Sequence, residues 1–374
     1  MPSVAIIGTR GYPSYYGGFE TAVRRLAPHL AESGWDVVVY GRPGATSPED
    51  ANRDPRVTSV QTRGIESKSL STLSYGYTAT RDAVRRAVDV ALVMNVANGY
   101  WLKRLDRAGI PTLVNVDGIE WDREKWNVLA KRAFKLGAHL TAKHADKLVF
   151  DAEAIGARWR AEFGRDGVFL PYGGDTSAPR PSPMGLKRRS YVLVVARFVP
   201  ENTIAQFFEA VPQIQRFAPV VIVGSSGYGG EFDDRARALG DEYAGVRWLG
   251  HVRDDALLEA LWQNAGVYFH GHSVGGTNPA LVQAMASGAP IVARDTVYNR
   301  EVLNDPTQLC EPQARSIELA IEAMLRDSER QEAAADRNVA RARNQYSWAD
   351  ICAGYESALW ALLNTRARQT ASQS

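Results

Sequence analysis

The stretch HSVGGTNPALVQAMASGAPIVARD, residues 272–295, predicts a glycine loop, a short helix and a buried strand in succession. Asn278 is a favourable N-cap residue and Pro279 suits the first helical position, so a helix should begin there. The interior of this helix is rich in helix-forming residues and ends at Gly288, which suits the position after a helix. The apolar run 290–293 then predicts a short strand. A strand joined to a helix in this way is typical of an α/β sheet protein.

The glycine loop has the features of an anion-binding site. Gly275 and Gly276 permit positive φ and let a ligand approach the backbone closely. After Thr277, the helix N-terminus presents unpaired N–H groups and the positive end of the helix dipole, which suits a phosphate group. An ordinary strand–turn–helix connection has the same pattern, so both interpretations stay open for this stretch taken alone.

The composition is that of an ordinary globular protein. The chain has 374 residues, 45% hydrophobic and 23% charged, a length that favours two domains. Its net charge of +2 does not point to nucleic acid, and we expect no nucleic-acid partner. Cys310 and Cys352 lack CxxC spacing, which argues against structural zinc or disulfides and fits a reducing cytoplasm. Without a signal peptide or an apolar run of about 20 residues, we expect a cytoplasmic protein, soluble or peripheral at the cytoplasmic face of the membrane.

The chain alternates strands and helices in two halves of similar size. Residues 3–8 predict a buried strand, 19–33 an amphipathic helix and 35–40 the next strand. This βαβ opening predicts a doubly wound parallel sheet with ligands at the carboxyl ends of its strands. A second βα series begins at residue 190, after a segment rich in Pro, Ser and Arg. The predicted divisions are an N-terminal domain over 1–175, a linker over 176–189, a C-terminal domain over 190–345 and a last helix over 346–374 that packs back across the domain junction.

A second candidate anion site follows the first strand. Gly17 and Gly18 lie at a predicted strand end and at the N-terminus of the helix over 19–33. The pair could instead relieve crowding in a tight turn.

Two carboxylates follow the predicted strand over 112–116. Asp117 and Glu120 should lie at the same carboxyl edge as Gly17, where they could act as a general base or orient substrate hydroxyls. The alternative is that Asp117 caps the helix beginning near Asp122 and that Glu120 is solvated.

The segment 123–147 predicts a long basic helix. Its apolar residues follow an i, i+3/i+4 pattern, and they are Trp126, Leu129, Ala133, Leu136 and Leu140. A basic amphipathic helix with a tryptophan can lie on an anionic membrane surface. Alternatively, the apolar stripe packs on the core and the charges are solvated.

Four motifs, in order and covering nearly the whole chain, resemble the GT-B glycosyltransferases of the family-4 kind. They are GTRGYPSYYGGFET at 8–21, NVDGIEW at 115–121, ARFVPEN at 196–202 and GHSVGGTNPALVQAMASG at 271–288. The N-terminal half is similar to a subgroup that includes bacterial rhamnosyltransferases. The resemblance implies two Rossmann-like doubly wound domains facing a cleft, with the acceptor on the N-terminal side and the nucleotide sugar on the C-terminal side.

The resemblance also implies roles for individual residues. The N-terminal pair Gly17 and Gly18 closes over the donor diphosphate, and Asp117 takes the place of a histidine near the reacting sugar. Arg197 neutralises the diphosphate, which suits an always-charged, bidentate guanidinium. The remaining donor-binding residues are Gly275, Gly276, Thr277 and Asn278, which give backbone N–H groups, and Gln283, which stands where relatives have a ribose-binding glutamate.

The chain departs from the family pattern at three positions. The usual pair of glutamates, eight positions apart, reads Gly275 and Gln283, and the lysine five after the arginine is Asn202. A glutamine can still hydrogen-bond a ribose diol, whereas a phosphate site with one cation fewer is weaker. We expect His272 or a backbone group to take the role of the first glutamate.

The implied reaction moves a hexose from a nucleotide-diphosphate sugar to a hydroxyl of a saccharide or lipid-linked saccharide, in the synthesis of cell-surface polysaccharide. We expect the donor to be dTDP-rhamnose and the transferred sugar to be rhamnose. The resemblance implies no obligatory metal and no cofactor. For His270 and His272, two apart on a strand, core or hydrogen-bonding roles are favoured over a metal pair. A lipid-linked acceptor would give the 123–147 helix an inner-membrane surface to face.

Other functions stay open. A GT-B epimerase or phosphorylase is one alternative, although Asn202 argues against the extra cations that a phosphorylase needs. A catalytically inactive sugar-nucleotide-binding protein is another, since both glutamates are missing. A Rossmann dehydrogenase is disfavoured because no GxGxxG follows the first strand, and no P-loop GxxxxGK occurs.

Overall fold

The computed structural model describes residues 1–15, 17–46, 49–65, 71–123, 126–227 and 229–371. The chain forms two compact units. Unit 1 contains Met1–Tyr172 and Trp348–Ser374, and unit 2 contains Gly173–Ser347. Each unit is built on a parallel sheet with helices between its strands, which confirms the predicted class of two Rossmann-like α/β domains.

Unit 1 has a seven-stranded sheet with the order β3-β2-β1-β4-β5-β6-β7. Its strands are β1 (Ser3–Ile7), β2 (Asp36–Gly41), β3 (Val57–Gln61), β4 (Val90–Met94), β5 (Thr112–Asn115), β6 (Lys147–Phe150) and β7 (Gly167–Phe169). Its first helices are α1 (Gly18–Glu32), α2 (Ser71–Arg86), α3 (Gly99–Arg107), α4 (Val128–His144) and α5 (Glu153–Phe163).

The central strands of unit 1 are apolar along their length because both faces of the sheet are covered. β1 pairs in parallel with β2 on one side and with β4 on the other. The strand order therefore reverses between β1 and β4, and a crevice opens at the carboxyl ends of strands at such a point.

Unit 2 has a six-stranded sheet with the order β10-β9-β8-β11-β12-β13, and its order reverses between β8 and β11. Its strands are β8 (Val192–Val195), β9 (Val220–Val223), β10 (Val246–Trp248), β11 (Val267–His270), β12 (Ile291–Arg294) and β13 (Leu309–Cys310). Its helices are α6 (Ile204–Ile214), α7 (Glu231–Glu242), α8 (Asp255–Asn264), α9 (Pro279–Ala286), α10 (Val297–Leu303), α11 (Ala314–Leu325) and α12 (Ser328–Gln345), and the C-terminal helix α13 (Trp348–Ala371) follows in unit 1.

The segment expected as a linker, 176–189, is part of unit 2. Ser177 Oγ donates to Glu259 Oε1 at 2.8 Å, and the Arg180 N–H donates to Gln263 Oε1 at 2.7 Å, so the segment is tied to α8. Pro and Ser composition indicates an irregular backbone, but it does not show whether that backbone is free or held by side chains.

The last helix was expected over 346–374, and the structure begins it at Trp348. It packs on unit 1, where Ile351, Tyr355 and Leu359 join the apolar core that contains β1, β2 and β4. Because this helix is far in sequence from β1, β2 and β4, local sequence patterns do not identify the residues that it contacts.

The basic helix is shorter than predicted. The basic helix was expected over 123–147, but α4 spans only Val128–His144. The Asn127 side chain caps it by accepting from the Ala130 N–H, and a short 3-10 turn at Glu120–Asp122 precedes it.

Candidate active site

Two loops at the carboxyl edge of the unit 2 sheet are joined to each other. We call residues 197–203 the arginine loop and residues 271–278 the glycine loop. The backbone N–H and the hydroxyl of Ser273 both donate to the Glu201 carbonyl, at 3.0 and 2.7 Å. Thr203 Oγ1 donates to the Gly271 carbonyl at 2.5 Å. The loops after β8 and β11 therefore form one framework at the point where the strand order reverses.

The glycine loop has the backbone that its sequence predicts. Gly275 has a φ of +97°, a conformation that favours glycine, whereas Gly276 is not among the residues with positive φ. The Asn278 side chain accepts from the Ala280 N–H at 2.9 Å, and Pro279 is the first residue of α9. The N-cap assignment is thus confirmed, as is the helix end, where Gly288 has a φ of +73°.

Arg197 lies just beyond the end of β8 with an exposed side chain. Within the part of the chain that the structure describes, its guanidinium has no ion pair. It is therefore available to an anionic ligand at this edge.

Asn202 is folded into the arginine loop. Its Nδ2 donates to the Arg197 carbonyl at 2.9 Å, and only 4% of the residue is exposed. Its amide therefore holds the backbone that carries Arg197, and the position contributes no charge.

His270 and His272 stack on each other. Their ring centroids are 4.4 Å apart and the planes differ by 13°, a geometry in which the two rings cannot both direct a nitrogen at one metal ion. His270 is fully buried, and its Nδ1 is 3.0 Å from the Tyr268 hydroxyl. Burial, and then the neighbouring His272, hold the pKa of His270 well below its usual value, so its ring is neutral.

A metal cluster is not evident elsewhere in the described ranges. No group of three or more His, Cys, Asp or Glu side chains there is arranged to hold a metal ion. That the reaction needs no metal stays a prediction from the family resemblance.

Gln283 is occupied by protein groups. Its Nε2 donates to the Asp175 carbonyl and to Glu259 Oε2, both at 3.0 Å, and its Oε1 accepts from the Asp175 N–H at 3.2 Å. A ribose diol would have to displace one of these contacts. The structure instead uses Gln283 to attach the segment at Asp175 to α8 and α9.

Asp117, in unit 1, has a strained backbone. Its φ is +53°, which is uncommon for a residue with a side chain. Its N–H donates to Asn115 Oδ1 at 2.9 Å, and Asn115 Nδ2 donates in turn to the Tyr355 hydroxyl at 2.6 Å. The alternative that Asp117 caps a helix is wrong, since the N-cap residue of the 3-10 turn is Ile119 and that of α4 is Asn127.

Glu120 is neither solvated nor free. It is 5% exposed, its Oε1 lies 2.8 Å from Arg123 Nε, and its Oε2 accepts from Trp126 Nε1 at 2.8 Å. Both oxygens thus hold the turn that follows Asp117, so the alternative of a solvated carboxylate is wrong. Sequence spacing could not show this, because the partners follow Glu120 in an irregular segment.

Gly17 has room around it. It is the N-cap residue of α1 with an extended φ of −165°, and an added Cβ would approach nothing closer than Glu20 Oε2 at 3.4 Å. Crowding therefore does not explain this glycine. Gly18 begins α1, so the pair lies at a helix N-terminus as predicted.

The predicted apolar stripe on α4 is not its buried face. Gly137, Ala138 and Thr141 are buried, whereas Leu129 and Leu136 are 74% and 51% exposed. Small residues form the packed face because α4 approaches Val96 closely, and a Cβ on Gly137 would lie 2.6 Å from the Val96 carbonyl oxygen. The alternative that this stripe packs on the core is therefore wrong.

Comparison with known proteins agrees with this architecture. Residues 17–173 match the family model of the glycosyl transferase 4-like domain, and residues 183–341 match that of glycosyl transferases group 1. The chain belongs to the family-4-like GT-B glycosyltransferases.

Two curated relatives are mannosyltransferases. The chain is 34% identical over 158 residues to phosphatidyl-myo-inositol mannosyltransferase of Mycolicibacterium smegmatis, covering 40% of each chain. It is 28% identical over 167 residues to O-antigen chain mannosyltransferase B of Escherichia coli, covering 43% of each. The chain thus spans about 40% of the length of the curated relatives it matches.

Solved structures share the fold. Sucrose-phosphate synthase from Thermosynechococcus elongatus has a TM-score of 0.79 at 18% identity, with both chains covered completely. The Anabaena protein HepE in complex with UDP-glucose has a TM-score of 0.77 at 16% identity, covering 97% of this chain and all of that one. Among the helices described, none has the length and apolar character needed to cross a membrane.

Sequence reasoning missed two residues that hold the unit 2 loops. Asn299 Nδ2 donates to the carbonyls of His272 and Arg294, at 3.0 and 2.8 Å. Glu259, which is 8% exposed, accepts from Ser177 and Gln283. Asn299 lies in the first turn of α10, shortly after the end of β12. A polar residue at such a place is the sequence signal that could have identified it. Nothing in the pattern of α8 marks Glu259.

Proposed function

We propose that this protein transfers a hexose from a nucleoside-diphosphate sugar to a hydroxyl of a saccharide or lipid-linked saccharide in cell-surface polysaccharide synthesis. The observation that carries the proposal is the joined pair of loops in unit 2. They combine a guanidinium on Arg197, which has no ion pair within the described residues, with the positive-φ backbone at Gly275 and a capped helix start at Asn278. The relatives named above act as mannosyltransferases, which supports the same reaction class.

In the proposed reaction, the acceptor oxygen bonds to the anomeric carbon while the bond from that carbon to the diphosphate oxygen breaks. The nucleoside diphosphate leaves with the bonding electrons, so negative charge grows on its terminal phosphate. Arg197 and the N–H groups of the glycine loop would stabilise this charge in place, with no reorganisation of solvent. We assign Asp117 as the base that takes the acceptor proton. Glu120 would act by holding the turn after Asp117.

The proposal has two versions, which differ in the sugar that the donor carries. The resemblance of the N-terminal half favours dTDP-rhamnose, whereas the names of the curated relatives favour a mannose donor. Turnover of dTDP-rhamnose, GDP-mannose and UDP-glucose, compared under the same conditions, decides between them.

A second candidate function is a sugar-nucleotide-binding protein without catalysis. The occupied amide of Gln283 favours it, because the chain then lacks a free side chain at the ribose position. Donor binding without donor turnover would select this function.

The first test is a thermal-shift screen of the purified protein with UDP, dTDP, GDP and ADP. A ligand that binds only the folded state raises the melting temperature. We expect a rise with one nucleotide, lost in Arg197→Ala and kept in Arg326→Gln, which removes an equal charge from an exposed side chain of unit 2. A flat response to all four nucleotides would contradict the proposal.

We also propose that α4 contacts an anionic membrane surface, where a lipid-linked acceptor would lie. Val128, Leu129 and Leu136 are 64%, 74% and 51% exposed, and the side chains of Arg132 and Lys135 are exposed beside them. Exposed apolar residues among cations suit the boundary between headgroups and acyl chains.

The membrane proposal is tested by sedimentation with anionic vesicles and with zwitterionic vesicles at low salt. We expect binding to the anionic vesicles only, weakened by about tenfold or more in Leu129→Asn/Leu136→Asn, since each buried aliphatic side chain contributes about 1.5 kcal/mol or more. Val297→Asn, which removes an exposed apolar side chain of unit 2, is the control. Equal recovery of the wild type with both vesicle types would contradict the proposal.

A further inference from the structure

The arginine that ends β12 touches both loops of the candidate site. Arg294 Nη1 donates to Thr203 Oγ1 at 3.1 Å, and Thr203 donates onward to the Gly271 carbonyl at 2.5 Å. On the backbone side, Asn299 bridges the carbonyls of Arg294 and His272. Arg294 is thus held where the arginine loop and the glycine loop meet.

Arg294 has no counter-charge among the residues that the structure describes. The adjacent carboxylate, Asp295, is paired with Arg300 instead, whose Nη2 donates to Asp295 Oδ2 at 2.5 Å. The Arg294 side chain is half-buried, and its partner Thr203 is the N-cap residue of α6. A partly desolvated cation beside the positive end of a helix is unfavourable by itself and becomes favourable when an anion binds.

The neighbouring position lacks the charge that related proteins have. Asn202 stands where the family resemblance implies a lysine, and its buried amide is used on the Arg197 carbonyl. Arg294 reaches the very next residue, Thr203, from a different strand. The chain therefore brings a cation from β12 to the place where the arginine loop has lost one.

We propose that Arg294 supplies the second cation of the donor-diphosphate site and replaces the missing lysine. This inference rests on the proposed function, since it requires a nucleoside-diphosphate ligand. Arg294 would hydrogen-bond the phosphate farther from the nucleoside, together with Arg197. A guanidinium suits this role because its planar donors match two phosphate oxygens at once.

The test is calorimetric titration with UDP, GDP, dTDP and ADP and with the four corresponding monophosphates. Arg294→Gln removes the charge and keeps a polar amide at this position. We expect its affinity for the preferred diphosphate to fall about tenfold or more, while its affinity for the monophosphate stays within about threefold. The matched control Arg326→Gln loses the same charge at an exposed side chain of unit 2 and should bind both as the wild type does.

A rescue variant tests whether Arg294 acts through its charge or only supports the structure of the loops. Asn202→Lys/Arg294→Gln restores a cation on the arginine loop but loses the contact of the Asn202 amide with the Arg197 carbonyl, so it should recover part of the diphosphate affinity. If Arg294→Gln is too unstable to titrate, Arg294→Lys keeps the charge but loses the bidentate donors, so its affinity for the diphosphate should fall by about threefold to tenfold while its affinity for the monophosphate is kept.

The outcomes distinguish the two proposals. Binding lost in Arg197→Ala but unchanged in Arg294→Gln overturns this inference alone. An equal loss of monophosphate and diphosphate affinity in Arg294→Lys also overturns it. A wild type that binds none of the four diphosphates overturns the proposed function, and the inference with it. A parallel loss of monophosphate and diphosphate affinity in Arg294→Gln also overturns the inference, because the effect would then be structural.

Discussion

The carboxyl edges of the two sheets are built by different means. In unit 1, residues with side chains take up positive φ after neighbouring strands, with Asn95 at +73° after β4 and Asp117 at +53° after β5. Gly8 also does so after β1, at +99°. In unit 2, the residues with positive φ at this edge include Gly224 at +135° after β9, Gly275 at +97° in the glycine loop and Thr203 at +57°. Among the candidate site residues, unit 1 therefore presents the Asp117 side chain in this conformation, whereas unit 2 presents the backbone of Gly275.

This difference matches different chemical tasks. A strained residue that keeps its side chain can hold a carboxylate in one place, which suits proton transfer. Glycine brings backbone N–H groups close to a ligand, and arginines beside them add charge, which suits a leaving phosphate. The two sheets reverse their strand order in the same way, and the residues that follow the strands differ between them.

The largest effect is expected at the unit 1 edge. Asp117→Asn should lower the rate of nucleoside-diphosphate release from the donor in the presence of acceptor by about a hundredfold or more, because a positioned base contributes at least that much. Asparagine tolerates a φ of +53°, so the fold and donor affinity should be unchanged. The control is Asp122→Asn, which removes an exposed carboxylate paired with Arg158. Equal rates in the two variants would remove Asp117 from the mechanism.

The unit 2 edge is tested through its backbone. Gly275→Ala places a Cβ at a φ of +97° and should cost about 1–2 kcal/mol of unfolding free energy. The glycine loop should shift, and donor affinity should fall by about tenfold. Gly245→Ala is the matched control in unit 2, because its φ is not positive and a Cβ there would lie no closer than 3.8 Å to another residue, so its stability should change by less than about 0.5 kcal/mol.

Urea unfolding and nucleotide titration measure both Gly275 effects. If the two alanine variants lose stability and affinity equally, the backbone of Gly275 has no special role, and the contrast between the two edges fails on the unit 2 side.

A third variant tests how unit 1 fixes its strained aspartate. Tyr355→Phe leaves buried Asn115 without the hydroxyl that it now contacts at 2.6 Å. The free energy of unfolding should fall by about 1–3 kcal/mol. The turnover rate should fall with it while donor affinity is kept, because Asn115 holds the N–H of Asp117. Tyr77→Phe, at an exposed tyrosine, is the control, and an equal response of both variants would show that α13 does not position Asp117.

Sequence reasoning recovered the parts of the molecule that depend on local signals. The apolar strands, the cap at Asn278 and the helix end at Gly288 follow from neighbouring residues and are present as expected. The features it missed come from residues far apart in the chain. The contact between Asn115 and Tyr355 joins residues 240 positions apart, and Gln283 meets Asp175 across 108. Hydrophobic periodicity within a segment gives no information on contacts between residues so far apart. It also cannot show whether the apolar stripe on α4 is exposed or buried, because both have the same spacing.

The smallest expected effect is a change in how the stability depends on pH. It concerns His270, the buried histidine at the carboxyl edge of the unit 2 sheet. The pKa of His270 is well below its usual value in the folded state, mainly through burial and then through His272. In the unfolded chain the ring takes up a proton near pH 6.5, so the contribution of His270 to stability is complete above that pH and is lost as the pH falls below it. The loss is limited to about 1.4 kcal/mol per pH unit. His270→Asn should therefore flatten the dependence of the urea midpoint on pH between 7 and 5, whereas His251→Asn, at an exposed position, should not. If His270→Asn keeps the full slope, the His270 ring is not held neutral between Tyr268 and His272.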